Sequence, residues 1–414
     1  MSSSTDAPSS LRDRLWELIR IFGRLGSIGF GGPQAHIAMQ NDEAVVRRQW
    51  LTQDQFSDGM AVCEMLPGPA STQMGIYLGY VRAGQVGALV AGLAFIAPAF
   101  LIVVTLAWVY FRFQALPQLD AIFFGIAPVM IAIILGFCWK LGKKSVHDWQ
   151  GVAISISVGI AVGFGNLSPL LAFILAGLLG LAIYRPRQSP PPQALWLPLG
   201  LMASLTAATP TADVLALSSF WGWERIGPFF WPLLGYFFKM GTFIFGGGLV
   251  IIPLLEYDVV EQLHWLTRSE FLNGIAIGQL SPGPVVLTAA FVGFKVAGVW
   301  GALVASIGIF TPSFLFIMAG APLLLRLRQN PYVKAFLMAV RPAVLGAIAI
   351  ATLPLAQTAI IERSSLWLVV IAGAITVLSW VALIRFKTPT WQLVLAGGGL
   401  GLLVGLIIPT GLSS

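Results

Sequence analysis

The chain reads as an all-α polytopic membrane protein made of two homologous helical repeats, and three observations carry that reading. Composition is the first: 57% of the 414 residues are hydrophobic and only 10% charged, with a mean hydropathy of +0.85, whereas a soluble domain carries about a quarter charged residues. The second is a set of uncharged runs, 86–111, 167–184, 366–384 and 390–414, each long enough to cross roughly 30 Å of hydrocarbon. None of them alternates apolar with polar residues, so helices rather than a barrel satisfy the backbone inside lipid. The third is internal repetition. Phe30-Gly31-Gly32, Trp50-Leu51-Thr52, Phe56 and Pro67-Gly68-Pro69 recur as Phe245-Gly246-Gly247, Trp265-Leu266-Thr267, Phe271 and Pro282-Gly283-Pro284, offset by 215 residues. Farther on the offset is 214, with Pro98 matching Pro312 and Pro128 matching Pro342, so the second copy has lost one residue.

In chain order, residues 1–14 form a polar tail without the apolar core of a secretory signal. Leu11, Leu15, Leu18, Ile19, Phe22 and Leu25 then fall at helical spacing with Arg12, Arg14, Arg20 and Arg24 between them, the pattern of a basic amphipathic helix lying on the membrane surface. The first repeat spans 15–184. Residues 185–228 are a linker, in which a loop rich in Arg, Pro and Gln precedes an extra apolar stretch at 194–217 that serves as a pivot span. The second repeat spans 229–414. Six segments per repeat and the pivot make about 13 transmembrane segments.

Basic clusters orient them. Lys140, Lys143 and Lys144 lie two spans from Arg185 and Arg187, on one side; Arg326, Arg328, Lys334, Arg385 and Lys387 fall on that same side once the pivot is crossed, although Arg112, the counterpart of Arg326, does not. The positive-inside rule therefore gives the repeats inverted topology, a cytoplasmic N-terminus and a periplasmic C-terminus. Inverted repeats around a midplane site are a common plan for secondary transporters. The same rule explains the net charge of +7 without a nucleic-acid partner; the partner implied is the lipid bilayer, and a homodimer is compatible with the sequence.

Each repeat carries the same sequence of signals. Thr52 with Gln55 and Thr267 with Glu270 fit capping boxes, preceded by Trp50 and Trp265 at interface positions. The helices so begun meet Pro67-Gly68-Pro69 or Ser281-Pro282-Gly283-Pro284, where two prolines remove donors and the glycine takes angles other residues refuse. Broken backbone at membrane depth survives only when buried in protein or lining water. The helix resuming after each break presents free N–H groups to an anion, with Ser71, Thr72 and Ser281 as hydroxyl donors; the plainer reading is a kink that fits helices together. Gly31-Gly32 and Gly246-Gly247 make a second break per repeat, or merely allow close approach.

Among charged residues Arg341 stands out inside the apolar stretch 335–353, where a charge costs about 2.5–3.5 kcal/mol. It fits a counter-charge for an anionic substrate or for Glu64, or an arginine snorkelling toward Lys334. Arg82 lies near a span end, and His36 follows the first Gly-Gly, so Arg82, His36 and Glu64 are the charge or proton handles. Cys63 and Cys138 read as packing residues. No metal spacing, nucleophile–base pair or nucleotide-binding loop occurs, so no cofactor and no enzyme activity is expected.

Phe30-Gly31-Gly32-Pro33 with His36, Arg48-Gln49-Trp50-Leu51, Leu66-Pro67-Gly68-Pro69-Ala70-Ser71, Gly79-Tyr80 and Arg82-Ala83-Gly84 resemble the chromate ion transporter family in its long, two-domain form. The match covers both repeats. The resemblance implies export of chromate across the bacterial inner membrane and chromate resistance, with sulfate as a related or competing oxyanion. The second repeat departs at Gly248, Ile251 and Gln279, which stand where the first has Pro33, His36 and Glu64, and so implies functional asymmetry. Outward movement of a dianion is favoured by an inside-negative potential, which fits potential-driven alternating access. The alternative is an uptake permease for sulfate or a related oxyanion, coupled to protons or sodium.

Overall fold

The computed structural model of the chain describes residues 10–114, 116–146, 148–184, 220–244 and 248–407, and the regular structure among them is helical. The pivot stretch at 194–217 and the pair Gly246-Gly247 lie outside the described residues. The first repeat comprises α1 (Leu11–Ile28), α2 (Pro33–Asn41) running into a π-helical turn at Asp42–Arg47, α3 (Gln53–Met65), α4 (Ala70–Phe113), α5 (Pro117–Ser145), α6 (Trp149–Gly163) and α7 (Pro169–Ile183). The second comprises α8 (Trp223–Thr242), α9 (Ile251–Leu255) running into a π-helical turn at Glu256–Gln262, α10 (Arg268–Leu280), α11 (Thr288–Gln329), α12 (Pro331–Ala356), α13 (Leu366–Arg385) and α14 (Thr390–Ile407). Among the described residues six helical segments are long and apolar enough to cross a membrane, in α4, α5, α11, α12, α13 and α14, while α6 and α7 are apolar but shorter.

The two copies agree in backbone detail. Both capping boxes form, with the Thr52 hydroxyl accepting from the Gln55 N–H at 3.3 Å and the Thr267 hydroxyl from the Glu270 N–H at 3.1 Å. Each long helix reverses at an Ala-Gly pair, Ala83-Gly84 and Ala297-Gly298, where the glycines have φ of 64° and 59°. A β-carbon on Gly79 would lie 2.3 Å from the Gly87 carbonyl, and one on Gly293 would lie 2.3 Å from that of Gly301, so glycine permits each reversal to close. Each repeat thus holds a hairpin of two half-length helices joined by its Pro-Gly-Pro. The thirteen residues of α3 rise about 20 Å, short of the bilayer's hydrocarbon core, so the hairpin enters and leaves on one side before the second limb of α4, 85–113, crosses.

Inversion is visible in the pairing of the crossing limbs. At one end the Gln85 side chain donates to the Met318 carbonyl at 3.0 Å; at the other, Phe111 stacks on Phe294, and Trp108 packs on Phe220 beside Gly298. The limbs of α4 and α11 therefore run antiparallel. Beyond them the repeats exchange partners: α5 packs against α13 and α14 of the second copy, and α12 packs against α6 and α7 of the first. Backbone-close approach at small residues makes this exchange possible. A β-carbon on Gly125 would strike the Gly397 carbonyl at 2.0 Å, and one on Gly346 the Ser155 carbonyl at 1.9 Å.

Two expectations are corrected. The amphipathic segment 11–25 does not lie apart on a membrane surface: α1 packs along α4, burying Leu18, Ile21, Phe22 and Leu25, because its apolar stripe finds protein to cover it. Its arginines find partners too: Arg14 donates to the Arg82 carbonyl at 3.2 Å and Arg24 pairs with Glu43. Trp265 is 1% exposed, packed on Phe229 and Tyr236 rather than at an interface.

Replacing Gly346 by valine forces α12 off α6, a clash with backbone that cannot rotate away. The variant should lose about 1–3 kcal/mol or more, read as an earlier thermal-unfolding midpoint in detergent. Gly399→Val, with nothing near its β-carbon, should unfold with the parent.

Candidate functional site

The Pro-Gly-Pro tips do not close on their own repeats; each is received by the other. A β-carbon on Gly68 would lie 2.3 Å from the Ser313 hydroxyl of α11, and one on Gly283 would lie 2.2 Å from the β-carbon of Ala99 on α4. Ala99 and Ser313 are equivalent positions at the offset of 214, one residue after Pro98 and Pro312. The tips therefore dock on the crossing limbs by a pseudo-two-fold exchange. Gly68, with φ of 130°, donates its N–H to the Ile244 carbonyl at 2.7 Å, so broken backbone in one copy is satisfied by backbone of the other.

His36 closes the second contact. Gly31 and Gly32 turn the chain with φ of 122° and 77°, and Gly32 caps α2, which carries His36 inward to 1% exposure. Its Nε2 faces two carbonyls, Gly29 at 2.6 Å and Pro282 at 3.0 Å. Carbonyls only accept, so Nε2 carries the proton. Nδ1 lies 3.4 Å from the Ser71 hydroxyl, and the ring stands edge-on to Phe95. His36 thereby ties α2 and Ser71 of the first tip to the second tip.

The tips share a backbone but not a chemistry. At the first, Gln40, Ser71, Thr72, Gln73 and Ser313 are all buried. Gln40 donates to the Ser71 carbonyl at 3.0 Å and Gln73 to that of Pro67 at 2.6 Å. Four buried polar atoms there have no protein partner: Gln40 Oε1, Thr72 Oγ1, Gln73 Oε1 and Ser313 Oγ. At the second tip the corresponding places hold Leu255, Val285, Val286, Leu287 and Ala99, and Leu287 meets the Gly283 notch as Gln73 meets that of Gly68. Ser281 is occupied, donating to the Gly278 carbonyl at 2.9 Å.

The remaining sequence candidates lie elsewhere. Glu64 does not meet Arg341; it pairs with Lys144 at 3.6 Å, both side chains substantially exposed. Arg82 is held by Glu17 through two nitrogens, at 2.9 and 3.0 Å, and lies over Trp50. It belongs to a network in which Arg48 also pairs with Glu17 and with Glu43. Arg341, half-buried on α12, has no ion pair or hydrogen bond among the described residues, and its neighbour Pro342 packs near Gly151 of α6. Gly246 and Gly247 lie outside the described residues. Sequence reasoning missed Gln40, Gln73 and Ser313. The signal for them was available in the aligned copies, as positions polar at the first tip and apolar at the second.

The fit at the second tip has a direct test. Gly283→Ala sets one methyl against that of Ala99 and should cost about 1–3 kcal/mol, lowering both unfolding midpoint and transport. Adding Ala99→Gly removes the opposing methyl and should restore most of both; an unrescued double variant would mean the two positions do not meet.

Comparison with known proteins accords with this duplicated plan. A family model described as chromate transporter matches residues 16–181 and again 231–402. A chromate transport protein of Cupriavidus metallidurans is 35% identical over 394 residues, covering 95% of this chain and 93% of that protein. A probable chromate transport protein of Synechococcus elongatus is 34% identical over 81% of this chain and 83% of its own length, and one of Pseudomonas aeruginosa 30% identical over 82% and 81%. No solved structure matches. With one family match on each repeat and similarity running nearly end to end, the chain belongs to the chromate transporter family.

Proposed function

We propose that this transporter exports chromate across the bacterial inner membrane by alternating access, driven by membrane potential, and so confers chromate resistance. The observation that carries the proposal is the unequal packing of two equivalent hairpins. In the second, Phe271 to Gln279 of α10 are all buried, against α5, α14 and α11. In the first, α3 packs on α4 and α11 and leaves Gln53, Asp54, Gln55, Ser57, Asp58 and Glu64 exposed.

Glu64 stands three residues before Pro67, where an exposed carboxylate faces water rather than lipid. Its exposure and its pairing with Lys144 support a wet vestibule on the side of Lys140, Lys143 and Lys144, ending short of the buried polar groups of the first tip. That side is cytoplasmic by the positive-inside rule. Arg341, on α12, is the proposed counter-charge along the route, and the two Pro-Gly-Pro turns with Gly31, Gly32, Ser71 and Ser281 frame the crossing at its end.

In an inverted pair the opposite state is the same two packings exchanged. α3 would dock on α12 and α7 as α10 now docks on α5 and α14, and α10 would release. Leu170 occupies the place of Thr390, since Leu175-Ala176-Gly177 recurs as Leu395-Ala396-Gly397, and Thr390 donates to Gln279 at 3.2 Å. Glu64 is the counterpart of Gln279.

Energetically, a dianion leaving an inside-negative cell releases about 4.6 kcal/mol per 100 mV, enough for a gradient on the order of a thousandfold. Chromate uptake into everted vesicles should therefore rise with an imposed inside-positive potential and ignore a pH gradient; dependence on the pH gradient instead would replace this mechanism with proton coupling. The exchange is tested by disulfide trapping. Glu64→Cys with Leu170→Cys, and separately Gln279→Cys with Thr390→Cys, should each cross-link and each arrest transport. If only the second pair ever joins, α3 is not a moving gate.

A further inference from the structure

We propose that the oxyanion is seated by uncharged groups at the first tip alone, beside Gly68, with Ser313 supplied across the repeat boundary. The inference rests on the transport reading above and goes beyond it by assigning one tip, not both, and neutral groups, not a cation. The unpartnered atoms identified above are its basis. Gln40, Thr72, Gln73 and Ser313 are each 0% exposed, yet one polar atom of each lacks a protein partner. Leaving such groups buried and unpaired is unfavourable, and four of them on one tip is a concentration that packing does not explain.

Two of these side chains, Gln73 and Ser313, meet at Gly68. The point where Gly68 would carry a β-carbon lies 2.3 Å from Ser313 Oγ and 2.5 Å from Gln73 Nε2, so the glycine lets a hydroxyl of the other repeat and an amide of its own pack close against the turn. α4 begins two residues later, with Pro69 at its N-cap and no side chain capping it. Its first N–H groups have no carbonyl within the helix and add a positive half-dipole. The free hydroxyls of Thr72 and Ser313 donate to anion oxygens, as neutral groups do at helix N-termini. The two glutamine oxygens are acceptors, because both amide nitrogens are already turned to carbonyls. The bound species therefore brings a donor as well, either a proton on the oxyanion or its accompanying water.

Among the described residues no lysine or arginine hydrogen-bonds to this tip. The second tip has Leu255, Val285, Val286, Leu287 and Ala99 in the corresponding places, and its buried hydroxyls, Ser281 and Thr288, are already satisfied by the Gly278 and Val285 carbonyls. A seat without fixed cations leaves the anion's full charge to be carried across the field by the loaded transporter and none by the empty one. That is the condition under which membrane potential acts on the cargo.

The test uses the purified full-length protein in proteoliposomes, with chromate flux measured at a fixed potential. Thr72→Val keeps the shape of the side chain and removes its hydroxyl; Ser313→Ala does the same beside Gly68. Each should raise the half-saturating chromate concentration about tenfold or more, the loss of one hydrogen bond to a charged group. Thr72→Ser should restore it. Ser306→Ala, which removes a buried hydroxyl already satisfied by Ala302, should leave it unchanged, and unfolding midpoints of all four report on folding. Parental half-saturation in both Thr72→Val and Ser313→Ala would overturn the seat. Absence of chromate flux in the parent protein itself would instead overturn the transport reading.

Discussion

Everything in this architecture follows from one constraint: backbone at membrane depth has no water to bond with, so a chain that breaks its helices there must find partners in its own fold. A Pro-Gly-Pro guarantees the break. The protein meets the constraint by crossing its two copies, the Gly68 N–H on the Ile244 carbonyl and the Pro282 carbonyl on His36. Neither tip is complete without the other repeat. The same dependence extends outward, where α5 and α12 each pack on the terminal helix pair of the opposite copy. A pseudo-two-fold built in this way places its axis at the tips, and whatever moves there is felt equally by both halves.

Close approach is the second requirement, because lipid gives helices little hydrophobic reason to associate. Contacts at Gly26, Gly125, Gly241 and Gly346 bring backbone within reach of backbone. Gly26 and Gly241 are equivalent, and a β-carbon on either would lie 2.2 Å from the carbonyl of an equivalent residue, Phe95 or Ile309. Duplication has preserved the fit of α1 on α4 and of α8 on α11 to that level of detail, while allowing the side chains at the tips to diverge completely. What the fold needs has stayed symmetrical; what differs is chemistry.

The fold was largely legible in the sequence because its signals are local. The capping boxes, the proline breaks and the constant offset depend on neighbours in the chain. Partner choice was not legible in the same way. Nothing in residues 11–25 distinguishes a stripe covered by lipid from one covered by α4, and nothing in α5 says that its neighbours come from the second repeat. The candidate site was half legible. Pro67, Gly68, Ser71 and His36 announced themselves, but Gln40 and Ser313 lie 27 residues before and 246 after Pro67, joined only by tertiary packing. Arg341 drew attention as a lone charge in an apolar run, and among the described residues its side chain has no hydrogen-bonding partner at either tip.

Asymmetry between the hairpins connects these threads. Two copies of one sequence, folded alike, have equivalent tips and equivalent limbs, yet α10 is enclosed while α3 stands open. In a symmetrical dimer of repeats the two arrangements would be equal in energy, and a transporter that relied on them would rest halfway. Divergence of side chains removes the degeneracy. Leu255, Val286 and Leu287 favour the enclosed packing of their hairpin by burying hydrocarbon, whereas Gln40, Thr72 and Gln73 keep buried polar atoms unpaired at the first tip while α3 stands open. An apolar second tip therefore favours the packing seen here, with α10 enclosed and α3 open. The inequality that places the chemistry in one repeat is also the one that gives the empty transporter a preferred side.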